Sequence, residues 1–122
     1  MSLSSILNQD LSYNLEAKQK FHKVAKAALN KLAKHLNLNK EDYAIRVNEG
    51  GIAVSGEVVL HHEKFYIDIS QSCLGKGKEI MYRSCKGRKD YSGGTNNFVA
   101  ASVLDKDMEG FASKIKVLIE KQ

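Results

Sequence analysis

The chain has 122 residues, 43% of them hydrophobic and 27% charged, with a formal charge of +5 and a pI of about 9.2. That length holds one domain around one core, and the composition excludes disordered, collagen-like and coiled-coil chains. No apolar run reaches the roughly 20 residues of a membrane-spanning helix. The start, MSLSSILNQD, has neither the positive charge nor the long apolar run of a secretion signal. The expectation is one soluble cytoplasmic domain over residues 1–122, with no membrane association. In such a reducing compartment Cys73 and Cys85 are expected as thiols that serve as small hydrophobes.

Residues 11–36 place Phe21, Val24, Ala25, Ala28, Leu32 and Leu36 at spacings of three and four, the period of an amphipathic helix. Lys20, Lys23, Lys26, Lys31 and Lys34 fall on the opposite side, so a lysine ridge is left in water. Asp10, Ser12 and Asn14 are alternative N-caps, and Asn37 and Asn39 suit the far end because Asn tolerates left-handed backbone. The whole segment 18–40 carries seven lysines and no acid.

A period of two follows. Tyr43, Ile45 and Val47 alternate with Ala44, Arg46 and Asn48 up to a turn at Glu49-Gly50-Gly51. The next run, 52–61, puts Ile52, Val54, Gly56, Val58 and Leu60 on one face, with Gly56 marking a bulge or a close approach. After His61-His62-Glu63-Lys64, Phe65, Ile67 and Ile69 alternate with Tyr66, Asp68 and Ser70. This alternation predicts an antiparallel meander with one face packed and one face wet. A fourth strand is expected over 79–85, with Ile80 and Tyr82 on one face and Met81 and Arg83 on the other, the inward pair being left open by the pattern. Asp90-Tyr91 reads as a brief return strand and Ser92 to Asn97 as a turn-rich loop. Phe98 to Ala101 leads into a second helix. Ser102 to Asp105 fits a capping box, with Asp105 and Asp107 as alternative caps and Met108, Phe111, Ile115, Leu118 and Ile119 as the apolar stripe. The expected fold is α+β: a four-stranded antiparallel sheet with two helices packed on one face, in the order α-β-β-β-β-α.

Residues 75–97, GKGKEIMYRSCKGRKDYSGGTNN, hold six cations against Glu79 and Asp90, together with five of the nine glycines. A core does not bury six cations without partners, and glycine lets a backbone approach a ligand closely. Lys76, Lys78, Tyr82, Arg83, Lys86, Arg88, Lys89 and Tyr91 are therefore the expected binding residues, suited to phosphates or to an acidic protein surface. Together with the lysine ridge they are candidates for one continuous positive face. Gly75-Lys76-Gly77-Lys78 has the glycine spacing of neither a Walker loop nor a dinucleotide fingerprint.

Neighbouring strand residues point to opposite faces, so His61 and His62 cannot serve one metal ion and are expected as surface turn residues. Cys73 and Cys85 lack CxxC spacing. No metal, cofactor or catalytic residue is assigned. The order helix, strands, helix is similar to that of the double-stranded-RNA-binding domain, but where that family opens its second helix with lysines this chain reads Asp105-Lys106-Asp107-Met108-Glu109, which repels phosphate. The expected function is a non-enzymatic binding domain for nucleic acid or an acidic protein. The alternatives are an inhibitor that blocks a nucleic-acid-processing enzyme, of the phage anti-defence type, and a small metal-independent RNase using His61 or His62, Arg83, Arg88 and Tyr91. Pairing through the open sheet edge to give a homodimer is a further possibility.

Overall fold

The structure, a computed structural model, describes residues 2–71, 77–85 and 95–120. Lys76, Lys86, Arg88, Lys89, Tyr91, Cys73 and the expected return strand at 90–91 lie outside those residues. Helix α1 spans Leu3–Leu7 and α2 spans Leu15–His35, followed by a short 3-10 turn at Lys40–Asp42. Strands β1 (Tyr43–Asn48), β2 (Glu57–His62), β3 (Phe65–Ser70), β4 (Ile80–Ser84) and β5 (Asn97–Val99) come next, and α3 (Ala101–Lys106) and α4 (Met108–Glu120) end the chain.

Helix α2 starts where a side chain can meet its first unbonded amides: Asn14 Oδ1 accepts from Ala17 N at 3.1 Å. It ends at Asn37, whose φ of 54° is left-handed. There Asn37 N donates to Lys34 O and Leu38 N to Ala33 O, the paired bonds of a Schellman ending. Its buried stripe is Phe21, Ala25, Leu29, Leu32 and Ala33, with Val24, Ala28 and Leu36 flanking it.

The five strands form an antiparallel meander in the order β1-β2-β3-β4-β5. This is the expected α+β architecture with one strand more than the four expected. Strand β5 is only three residues long, too short to show alternation, and it becomes a strand by pairing Val99 with Ile80 and Asn97 with Tyr82. On the inner face Val58, Leu60, Phe65, Ile67, Ile69 and Ile80 join the α2 stripe and Phe111, Ala112 and Ile115 of α4 in one core. Ile80 and Tyr82 are thus the inward pair of β4.

Four further expectations need correcting. The second strand begins at Glu57 rather than Ile52: Gly56, at φ +72°, breaks the extended run, and Ile52 and Val54 are 73% and 50% exposed on the loop 49–56. His61 and His62 are buried strand residues, because the turn occupies only Glu63 and Lys64. The outer face is not simply wet, since Val59, Tyr66 and Cys85 form a second small apolar cluster there. The described residues hold four α-helices rather than two: the helix expected over 11–36 starts at Leu15, an unexpected α1 precedes it and fills the core with Leu3, Ile6 and Leu7, and the expected second helix divides at Asp107 into α3 and α4.

Two aspartates hold the helical ends, each in its own way. Asp107 Oδ1 accepts from Gly110 N at 3.0 Å and caps α4, as expected of one of the two alternatives. Asp105 instead reaches the other end of the chain, accepting from Leu3 N at 3.0 Å and Ser4 N at 2.8 Å. Burial pushes the Asp105 carboxyl up, but hydrogen bonds from Ser4 and Leu3 and the charge of Lys106 outweigh it and hold the pKa below the ordinary value. Among the described residues no helix is long and apolar enough to cross a membrane.

Two predictions follow from this framework. Asp105→Ala removes the acceptor for the Leu3 and Ser4 amides of α1, leaving only the Ser2 side-chain cap on Ser5 N, and is expected to cost about 1–2 kcal/mol in urea unfolding, with faster amide exchange confined first to α1. A Cβ at Gly56 meets Asn48 O at 2.6 Å and Glu49 O at 2.8 Å on a positive-φ backbone. Gly56→Ala is therefore expected to lose about 2 kcal/mol or more in the same measurement.

Candidate functional site

Strand alternation sends Glu57, Val59, His61, Tyr66, Asp68, Met81, Arg83 and Phe98 to the face of the sheet opposite the helices. One rank across all five strands reads Arg46, Val59, Asp68, Met81, Phe98. The next reads Ala44, His61, Tyr66, Arg83. From the first rank Arg46 Nη2 reaches across to donate to His61 Nδ1 at 3.1 Å, which leaves the imidazole proton on Nε2, and within the second rank the Tyr66 ring meets His61 edge-on at 5.2 Å. His61 is completely buried. On the inner face His62 stacks on Phe65 at 4.8 Å, and its Nδ1 accepts from Lys64 N at 3.1 Å.

Against the first rank the loop 49–56 closes a cleft of about 870 Å³, whose lining includes Val54, Glu57, Asp68, Lys78, Met81 and Phe98. Three tethers shape the loop. Tyr13 N donates to Ile52 O at 2.8 Å, Lys18 Nζ to Gly51 O at 3.0 Å, and His22 Nε2 to Ser55 O at 2.9 Å. At the far side Gln71 binds the segment after α1: Nε2 donates to Leu7 O at 3.0 Å and to Gln9 O, and Oε1 accepts from Leu11 N at 3.2 Å. Each tether satisfies a backbone group that would otherwise cost energy to bury.

Asp68 is the electrostatic anomaly of this cleft. Its Oδ1 is buried without a hydrogen-bond partner, and Oδ2 has the Tyr66 hydroxyl as a donor at 3.5 Å. Burial, then a hydrogen bond with Glu57 and the charge of Glu57, push its pKa from 3.8 up to about 8, the Tyr66 hydroxyl opposing them only in part. Asp68 therefore holds its proton well above the ordinary carboxylate range, beside the charge of Glu57. Sequence reasoning missed this pair, because Glu57 and Asp68 belong to different strands and only the β2–β3 register brings them together.

The expected binding residues separate. Lys78 is exposed and lines the cleft. Arg83 lies on the same outer face, its Nη1 donating to Asn96 Oδ1 at 3.2 Å while its buried Nε has no partner. Tyr82 points the other way, its ring edge-on to Phe111 at 5.3 Å under α4. Lys76, Lys86, Arg88, Lys89 and Tyr91 lie outside the described residues.

On the far side of the helical layer Lys20, Lys23, Lys26, Lys31 and Lys34 are all exposed. Lys18 is not part of this ridge, being buried with its ammonium on Gly51 O. Among the described residues the single ion pair is Lys20 with Glu16 at 3.6 Å. The ridge and Arg83 are on opposite sides of the sheet, so these two do not form the continuous positive face that charge placement alone suggested. Lys114 and Lys116 of α4 add exposed cations that the charge pattern had not singled out.

Compared with protein-family models, curated proteins and solved structures, the chain matches none.

The Asp68 geometry sets a pH dependence. Between pH 3.8 and about 8 the folded protein keeps a proton on Asp68 that the unfolded chain releases, so stability falls as pH rises through that window. A full shift is worth about 1.4 kcal/mol per unit, and because Asp68 is only half-buried the expected loss is discounted to roughly 1–3 kcal/mol. Urea titrations across the window are expected to show this fall in the wild type and a flatter profile in Asp68→Asn.

Proposed function

We propose that the protein is a small basic, non-enzymatic binding domain that holds nucleic acid by its phosphate backbone. The observation that carries this reading is the α2 ridge: five exposed lysines over residues 20–34, with Glu16 as the single acid of the helix. At 1.5 Å per residue they extend about 21 Å, a row of point charges that can follow a phosphate strand without reading its bases. Displacement of condensed counterions by these ammonium groups supplies the affinity. The cations of residues 75–97 are a second source of phosphate contacts, through Lys78 and Arg83 and through Lys76, Lys86, Arg88 and Lys89.

A second reading, a protein partner such as a nucleic-acid-processing enzyme blocked by this domain, draws on a different observation. Tyr13, Leu15 and Ile52 are exposed apolar side chains, and the Tyr13–Ile52 backbone bond brings two of them side by side. Exposed apolar residues beside cations are the material of interface anchors. The RNase alternative draws less support, since His61 is fully buried and His62 nearly so, away from where a substrate phosphate would lie.

The test is fluorescence anisotropy against single- and double-stranded DNA and RNA at about 50 and about 200 mM salt. Nucleic-acid binding is expected to fall by orders of magnitude between the two and to be lost when Lys23, Lys26, Lys31 and Lys34 are replaced together by Glu, with the circular dichroism unchanged. Replacing only Lys26 by Ala is expected to lower the salt slope by about 1. Loss on replacing Arg83, Lys86, Arg88 and Lys89 by Ala, with the ridge variant still binding, moves the contact to residues 75–97. Absence of binding to every probe at the lower salt rejects the nucleic-acid reading in favour of a protein partner.

A further inference from the structure

The formal charge of the protein is +5, yet the described lining of the outer-face cleft holds more acids than cations. Among the described residues lining it are four carboxyl groups, Asp10, Glu57, Asp68 and Glu79, and one cation, Lys78. Two of the acids have structural work. Asp10 Oδ1 accepts from the Ser12 backbone and hydroxyl. Glu79 accepts from Gly77 N at 2.6 Å, Lys78 N at 3.0 Å and Ala101 N at 3.0 Å. Glu57 and Asp68 are less committed: Glu57 has a long contact from Asn48 Nδ2 at 3.4 Å, and the Asp68 carboxyl, shared with Glu57 and the Tyr66 hydroxyl, has an enclosed Oδ1 without a partner.

The walls beside them are apolar. Met81 and Phe98 follow Asp68 in the same rank, Phe98 is 37% exposed, and Val54 lines the cleft from the loop. A polarizable sulfur and an aromatic face next to a carboxyl pair suit the flat or aliphatic body of a cation. A bare metal ion fits less well, since the described residues hold no cluster of three or more His, Cys, Asp or Glu that converge on one point.

We infer that this cleft binds a small organic cation, an amidinium, guanidinium or ammonium group on an apolar body, with its charged end at Glu57 and Asp68 and its body over Met81 and Phe98. The cation takes the place of the proton on Asp68. Binding therefore releases that proton at neutral pH and strengthens as pH rises toward 8. The groups around Asp68 that shape this dependence are Glu57 on β2, Tyr66 on β3, Lys78 and Glu79 ahead of β4, Asp10 before α2 and Arg46 in the same rank on β1. This site is independent of the lysine ridge, and either stands if the other fails.

The experiment is calorimetric titration of the whole chain with benzamidine, a flat cation, and with benzamide, its neutral isostere, at about pH 6.5 and about pH 8.5 in buffers of different ionisation enthalpy. Benzamidine is expected to bind saturably and at least about tenfold more tightly than benzamide. Its affinity is expected to rise roughly tenfold between the two pH values, with buffer-dependent heat at the lower one reporting proton release. Asp68→Asn is expected to abolish the pH dependence and weaken binding at least about tenfold, Phe98→Ala to weaken both ligands, and Lys23→Glu on the ridge to change neither. Asp68→Asn removes a buried acid without changing its shape, so its fold is expected to survive, and circular dichroism checks this. Equal affinity for benzamide, absence of benzamidine binding to the wild type, or undiminished binding to Asp68→Asn overturns the inference.

Discussion

Burial of the sheet's inner face beneath α2 and α4 is the constraint from which the other features descend. Phe65, Ile67 and Ile69 must lie under Phe21, Leu29 and Phe111, and a one-residue slip of β3 would put them in water and Asp68 in the core. The apolar set thereby settles the register of β2, β3 and β4. Once it is settled the outer face has no freedom of its own: Glu57, Asp68 and Met81 become neighbours because their flanking residues are hydrophobic.

This economy has an energetic side. A carboxyl group half-withdrawn from water with an oxygen unpartnered is a poor way to stabilise a fold. An asparagine or serine would sit in the same rank at lower cost. Asp68 is tolerated because the core behind it is continuous and because Gln71, Lys18 and His22 close the surrounding backbone with hydrogen bonds. Strain or desolvation held in place by well-satisfied surroundings is the usual physical setting of a binding site.

Much of the scaffold was legible in the chain. The 3.6 period of α2, its end at Asn37, the strand β1, the alternation of β3 and the apolar stripe of α4 are all local patterns, and each reappears in the structure. What escaped notice depends on distant contacts. Helix α1 has too few residues to show a period, and it is held by Asp105 from the opposite end of the sequence. The apolar spacing of Ile52 and Val54 imitates a strand that Gly56 then interrupts. His61 and His62 looked like turn residues because they precede one, while their burial comes from Arg46, Tyr66 and Phe65 on neighbouring strands. For the site, charge counting found the lysine ridge but not the carboxyl pair, since a pair made by register leaves no spacing to count.

Helix α2 shows lysines to solvent on one side, and on the other its buried Lys18 and His22 hold the loop that forms one wall of the cleft. Its sequence is therefore read twice, from two directions. The outward positions can drift among cations without altering the cleft, whereas Lys18 and His22 are tied to the carbonyls of Gly51 and Ser55 and answer to geometry rather than to charge. A lysine inside such a run of lysines would pass for one more interchangeable cation in any tally. Its neighbours in space, not its neighbours in sequence, mark it as irreplaceable.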